Sequence, residues 1–68
     1  MSTALNAFLK MAVRQETKVD LHLSTGKDML AVLVTDVADG AAEVTKTVNK
    51  RTRIWVIDLE HIVFGVLS

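Results

Sequence analysis

The run from Ile62 to Leu67, IVFGVL, has no polar side chain on either face of the strand that it predicts. An exposed strand edge presents unpaired N–H and C=O groups, and these groups recruit other chains. A strand that is apolar on both faces must therefore be covered by its own chain or pair with another copy. In a chain of only 68 residues, the second alternative is favoured.

Length and composition also favour assembly. A domain of this size, here the single domain 1–68, buries only about 60% of the surface that its unfolded chain exposes. Small domains usually add disulfides, a metal or oligomerisation. The sequence has no cysteine and two histidines far apart, so we expect no metal site and no cofactor.

The charges are unevenly distributed, although the formal net charge is zero. Zero net charge argues against a strongly basic nucleic-acid binder. Acidic residues dominate segments 36–43 and 58–60. The charged residues between positions 44 and 57 are all positive and form what we call the basic cluster: Lys46, Lys50, Arg51 and Arg53. This cluster is a candidate phosphate contact, and the alternative is a solvated turn.

The sequence predicts neither a secretory signal nor a membrane-spanning helix. Its apolar runs are far shorter than the roughly 20 residues that a helix needs to cross a bilayer. Together with the absence of cysteine, this favours a cytoplasmic, intracellular protein with no membrane partner.

Residues 4–15 have the periodicity of an amphipathic helix. Ser2 or Thr3 is the candidate N-cap, and the positive residues late in the segment suit the helix dipole. The apolar residues recur at the spacing of one helix face: Leu5, Phe8, Leu9, Ala12 and Val13.

From Lys18 onward the pattern predicts strands. Val19, Leu21 and Leu23 alternate with polar residues, which is typical of a half-buried strand. Segment 29–37 is largely apolar on both faces, which predicts a long central strand covered on two sides. Further strands are predicted at 42–48, 52–57 and 62–67, joined by turns at 24–27, 38–40, 49–50 and 58–61.

These connections are too short for parallel crossovers. The prediction is therefore a mainly β fold, in which the N-terminal helix precedes a strongly bent, five-stranded antiparallel sheet over about residues 18–67.

Two segments resemble the sequence motifs of the Sm-like family, which includes the Sm, LSm and Hfq proteins. Segment 19–29, VDLHLSTGKDM, has the alternating apolar residues and glycine turn that open the first motif. Segment 56–63, VIDLEHIV, has the apolar strand, short turn and apolar strand of the second. The resemblance covers roughly residues 4–67 and implies a small open barrel that follows an N-terminal helix.

The resemblance also implies a homo-oligomeric ring. In Sm-like proteins the fourth strand of one subunit pairs with the fifth strand of the next, which leaves no open edge. The predicted subunit interface is therefore Ile54, Trp55, Val56, Ile62, Val63, Phe64 and Val66.

Single-stranded RNA or DNA is the partner that the family implies. Its nucleic-acid-binding loops correspond here to segments 36–41 and 58–61, so Asp39, Gly40 and His61 join the basic cluster as candidate nucleic-acid-binding residues. The first loop lacks the family's aromatic or histidine and its asparagine, and the second is negative where the family is positive.

Two functions of different classes remain open. One is a ring that binds single-stranded RNA or DNA through the basic cluster. The other is a structural or adaptor ring that organises protein partners without nucleic acid. Trp55 shares strand parity with Arg51 and Arg53 and could stack a base; the favoured alternative is packing at a subunit interface or under the helix.

No arrangement of residues predicts catalysis. Cysteine is absent, and neither Ser24 nor Ser68 has a general-base partner in the sequence. Asp36 and Asp39 precede Gly40 and could hold a divalent cation, but acids beside a glycine are more often turn residues.

Overall fold

A computed structural model describes residues 3–68 and confirms the mainly β fold. Helix α1 spans Thr3–Gln15, and its inward face buries Leu9 and Ala12. Thr3 is already helical, so it is not the N-cap, and the alternative cap, Ser2, lies outside the described residues.

Five antiparallel strands follow the helix, in the spatial order β4-β3-β2-β1-β5. Their bounds are β1 Lys18–Leu23, β2 Asp28–Ala38, β3 Ala41–Val48, β4 Arg51–Asp58 and β5 Ile62–Leu67, with a 3₁₀ turn at Leu59–His61 between the last two.

Two-residue turns close the β2–β3 and β3–β4 hairpins. Asp39 and Gly40 have φ angles of 54° and 76°, and Asn49 and Lys50 have φ angles of 53° and 64°. Left-handed conformations at both central residues match the right-handed twist of the flanking strands. Asparagine and glycine adopt this conformation readily, whereas lysine does so at a cost, so Lys50 is a strained position in a correctly predicted hairpin.

The core lies between α1 and one face of the sheet, which we call the inner face. Val19, Leu21 and Val44 of this face are fully buried. Further buried residues are Met29, Val32, Val34, Ala42, Leu59 and Ile62. The opposite, outer face of the sheet is solvent-facing.

The prediction that β2 is covered on two sides is wrong. Leu30 is 54% exposed, while Met29 and Val32 are buried. Between the pairs Val19–Val32 and Leu21–Met29 the register shifts by one residue, so that Leu30 and Ala31 oppose Asp20 alone. This β-bulge changes which residues face inward, and the apolar run does not require a second covering layer.

Two further register shifts curl the sheet. One lies between Val34 and Asp36 in the β2–β3 pairing, and the other places Val63 opposite no single residue of β1. Bulges bend a strand and increase its local twist. The sheet is strongly curled but is not closed into a barrel, and β4 and β5 are its two edges.

Candidate functional site

Both edge strands expose apolar side chains. Within residues 3–68, no strand pairs with the outer edge of β4 or β5. On β4, Ile54 and Val56 oppose Thr45 and Glu43 of β3 and therefore lie on the outer face, where Val56 is 72% exposed. Phe64 and Val66 occupy the same face of β5, because they oppose His22 and Asp20 of β1 rather than its buried residues.

An apolar groove of about 570 Å³ separates the first half of α1 from β5. Gly65 lies in its wall without a side chain, and a Cβ atom there would come within 3.0 Å of the Phe8 ring and of Leu21. The remaining lining residues are Ala4, Leu5, Leu59, Glu60, Ile62, Val63 and Phe64. The groove adjoins the free edge of β5 and is a second apolar surface there.

The predicted interface residues differ in what they can contribute. Val63, Phe64 and the outward residues of β4 are exposed at the edges. Ile62 is buried in the chain's own core, so only its backbone is available at an edge. Trp55 is half-buried and packs against the same core.

His22 connects the β5 edge to β2. Its ring stacks on Phe64 with the centroids 4.0 Å apart and an interplanar angle of 21°. Its Nδ1 atom forms an ion pair with the Asp28 carboxylate when the ring is protonated. The pair therefore orders an exposed aromatic side chain on the edge strand.

The basic cluster gathers at one end of the β3–β4 hairpin. Lys46 opposes Arg53, and Val48 opposes Arg51. Side chains of opposed residues project from the same face of a sheet. The side chains of Lys46, Arg51 and Arg53 line a groove of about 660 Å³, whose other lining residues are Val48, Asn49 and Trp55. Lys50 occupies the hairpin turn. We call this the basic groove.

One cation of the cluster already has a structural contact. Lys46 Nζ donates a hydrogen bond of 2.7 Å to the carbonyl oxygen of Leu30, next to the β2 bulge. Arg51 and Arg53 are exposed. These two guanidinium groups are therefore the groove's most accessible phosphate contacts.

The second group of candidates lies at the opposite end of the same hairpin. The Gly40 carbonyl accepts a hydrogen bond from the Leu59 N–H (2.9 Å), and the His61 carbonyl accepts one from the Ser24 N–H (2.8 Å). We call the two neighbouring turns that the first of these bonds joins, residues 39–40 and Leu59–His61, the turn cluster. The exposed carboxylates in and beside it belong to Asp39, Asp58 and Glu60. Asp58 caps the 3₁₀ turn by accepting the Glu60 N–H at 3.0 Å.

The structure therefore does not bring the two candidate groups together. β3 and β4 have eight residues each, which corresponds to about 26 Å along the ladder. A basic surface at one end and an acidic surface at the other fit the zero net charge. The charged segments were predicted from the sequence. Asn49 was predicted only as a turn residue, although it also lines the basic groove, and nothing in the sequence indicates the Lys46–Leu30 hydrogen bond.

Comparisons with known proteins identify no relative. No family model matches the chain, and neither a curated protein nor a solved structure matches it. Across the described residues, no three histidine, cysteine or acidic side chains are grouped to hold a metal ion. No helix in this part of the chain is long and apolar enough to cross a membrane.

Proposed function

We propose that this chain is a divergent Sm-like protein that forms a homo-oligomeric ring and binds single-stranded nucleic acid through its basic groove. The order of elements, with β4 and β5 as the two free edges, supports the assembly. The accessible cations of the basic groove support the proposal that the ligand is single-stranded nucleic acid.

The proposal of a ring rests on a shared property of the two edge strands: both β4 and β5 expose apolar side chains on the outer face of the sheet. If β5 of one copy pairs antiparallel with β4 of the next, the sheet continues with the same outer face. Ile54 and Val56 of one copy then lie beside Phe64 and Val66 of its neighbour. Such a contact joins two different surfaces of the chain, so successive copies close into a ring if the rotation permits.

Nucleic-acid binding is carried by one observation, the convergence of Lys46, Arg51 and Arg53 on one groove. Cations that neutralise phosphates release counterions, which makes binding entropically favourable and dependent on salt. A ring repeats the groove in every subunit, so one strand that contacts several grooves gains avidity from individually weak sites.

The double variant Arg51→Ala/Arg53→Ala tests this interface. We expect its affinity for a single-stranded oligonucleotide to fall at least tenfold. The slope of log K against log salt should decrease by about 1.4, since each phosphate contact with a single strand contributes about 0.7. The matched control is Lys10→Ala/Arg14→Ala, which removes two exposed cations of α1. If Arg51→Ala/Arg53→Ala bound the oligonucleotide as tightly as the wild-type protein, the proposal would be wrong.

The acidic turn cluster favours a second candidate, an adaptor ring with protein partners. Asp39, Asp58 and Glu60 would repel a phosphate chain at that end of the hairpin. Native mass spectrometry with a mixture of short RNA and DNA strands separates the candidates. A closed oligomer carrying a strand supports nucleic-acid binding, a bare closed oligomer supports the adaptor, and a monomer contradicts both.

A further inference from the structure

We propose that Trp55 and a small cavity beside it form a nucleobase subsite, so that the basic groove selects unpaired nucleotides over other polyanions. This inference rests on the proposed nucleic-acid binding at the same groove. It concerns Trp55, which lies three residues, about 10 Å, along β4 from Asp58, and the basic groove beyond it.

Trp55 is held in place by the core. It opposes Val44, which is fully buried, across the β3–β4 ladder. Part of the indole packs against the core cluster, and the rest borders two cavities. An aromatic ring anchored on one side and open on the other is a stacking platform whose orientation needs little ordering when a base arrives.

The two cavities that meet at Trp55 have different chemistry. The larger one is the basic groove, where Arg51 and Arg53 can contact phosphates. The smaller one has a volume of about 150 Å³ and apolar walls from Met29, Leu30 and Val32. Its rim includes Lys27, Asp28 and Lys46. An apolar slot beside an indole suits the face of one base, and the adjoining cations suit its phosphate.

Lys46 lies at the boundary, since it lines both cavities. Its hydrogen bond to the Leu30 carbonyl, at 2.7 Å, fixes the ammonium group between them. If a base occupies the small cavity and the neighbouring phosphates lie in the basic groove, the sugar-phosphate backbone runs past Lys46 between the two. Lys46 is therefore a positioning residue, which keeps a positive charge where the backbone of the ligand enters the basic groove.

The subsite makes a prediction about ligand class. A polyanion without bases gains only the charge contacts, and a duplex keeps its bases paired with each other. Only a strand with unpaired bases gains both charge contacts and stacking, and stacking on an aromatic residue is a substantial gain per base.

Trp55 is the only tryptophan of the chain, so its fluorescence reports on the subsite directly. The protein is titrated with a single-stranded DNA oligonucleotide and with a fully abasic strand of the same length and charge. We expect the base-bearing strand to quench the fluorescence and to bind about tenfold more tightly. Trp55→Leu should remove that difference, and Trp55→Phe should retain most of it.

The outcomes separate the two proposals. If neither strand binds, the proposed nucleic-acid function fails. If both strands bind equally and leave the fluorescence unchanged, the function stands and the subsite is overturned. The comparison of the two strands on the wild-type protein needs no variant, so the test remains decisive even if Trp55→Leu does not fold.

Discussion

The side-chain carboxylate of Asp20 accepts a hydrogen bond of 2.8 Å from the backbone N–H of Ala31. This N–H lies in the β2 bulge, where two residues oppose one and the ladder cannot satisfy every backbone group. Ala31 adopts a left-handed conformation, with φ at 53°. Asp20 thus stabilises a strained backbone position that sets the inward side of β2.

Asp20→Ala should therefore destabilise the fold. It removes an acceptor from a partly buried N–H, and hydrogen bonds to charged groups contribute about 1.5–3 kcal/mol. Because the carboxylate is only half-buried, we expect a loss near the lower end of this range. Urea unfolding followed by circular dichroism measures the loss.

The control for that substitution is Asp20→Asn, which keeps a side-chain acceptor and should lose less. Ala31→Gly relieves the left-handed strain, which is about 1–2 kcal/mol for a residue with a Cβ atom. It should therefore recover part of the stability in the Asp20→Ala background. Equal stability of Asp20→Ala and wild type would show that the hydrogen bond has no net effect on folding.

The bulges explain which parts of the fold the sequence could predict. Helix α1, all five strands and both hairpin turns follow from periodicity and turn residues, and the bounds of β5 match the prediction. The turn predicted at 38–40 is one residue shorter, because Ala38 still belongs to β2. A bulge leaves no mark in a period-two pattern when the extra residue is itself apolar, as Leu30 and Val63 are. The burial of β2 was therefore predicted incorrectly. A bent sheet was predicted, but the residues at which it bends could not be identified from the sequence.

Lys50→Gly should stabilise the protein. Lys50 has a φ angle of 64° in the β3–β4 turn, where glycine avoids the Cβ clash but loses more chain entropy on folding. The net gain should be about 0.5 kcal/mol. Thermal unfolding at several salt concentrations measures it. Lys50→Ala keeps the strain and loses the same charge, so stabilisation by both variants would assign the effect to charge instead.

Gly65→Ala should destabilise the packing of α1 on β5. The added methyl group would lie 3.0 Å from Phe8 Cε2 and from Leu21 Cδ2, and overpacking of this kind typically costs about 1–3 kcal/mol. Since both neighbours can shift at their side-chain ends, we expect about 1 kcal/mol, measured by urea unfolding. Phe8→Leu in the same background should restore part of it, and no recovery would place the strain at Leu21.

The residues of the candidate site were predictable from the sequence, but their arrangement in space was not. The basic cluster, the parity of Trp55 with Arg51 and Arg53, and the apolar edges are visible in the sequence. The separation of the candidates into two ends of one hairpin required the topology. The groove between α1 and β5 required the three-dimensional placement of Phe8 against Gly65, for which sequence spacing gives no signal.

Val56→Lys should abolish assembly without unfolding the subunit. Val56 lies on the outer face of an edge strand and is 72% exposed, so a lysine there meets solvent in the monomer. In the proposed ring the same side chain lies beside the neighbour's apolar β5 residues, and a lysine on an edge strand opposes such pairing. The control is Leu30→Lys, the same type of change at a 54% exposed residue of β2, which lies in the interior of the sheet and not at an edge. Native mass spectrometry should find monomers for Val56→Lys and the wild-type oligomer for Leu30→Lys, with wild-type circular dichroism for both. An intact oligomer in Val56→Lys would show that the copies associate through a surface other than the β4 edge.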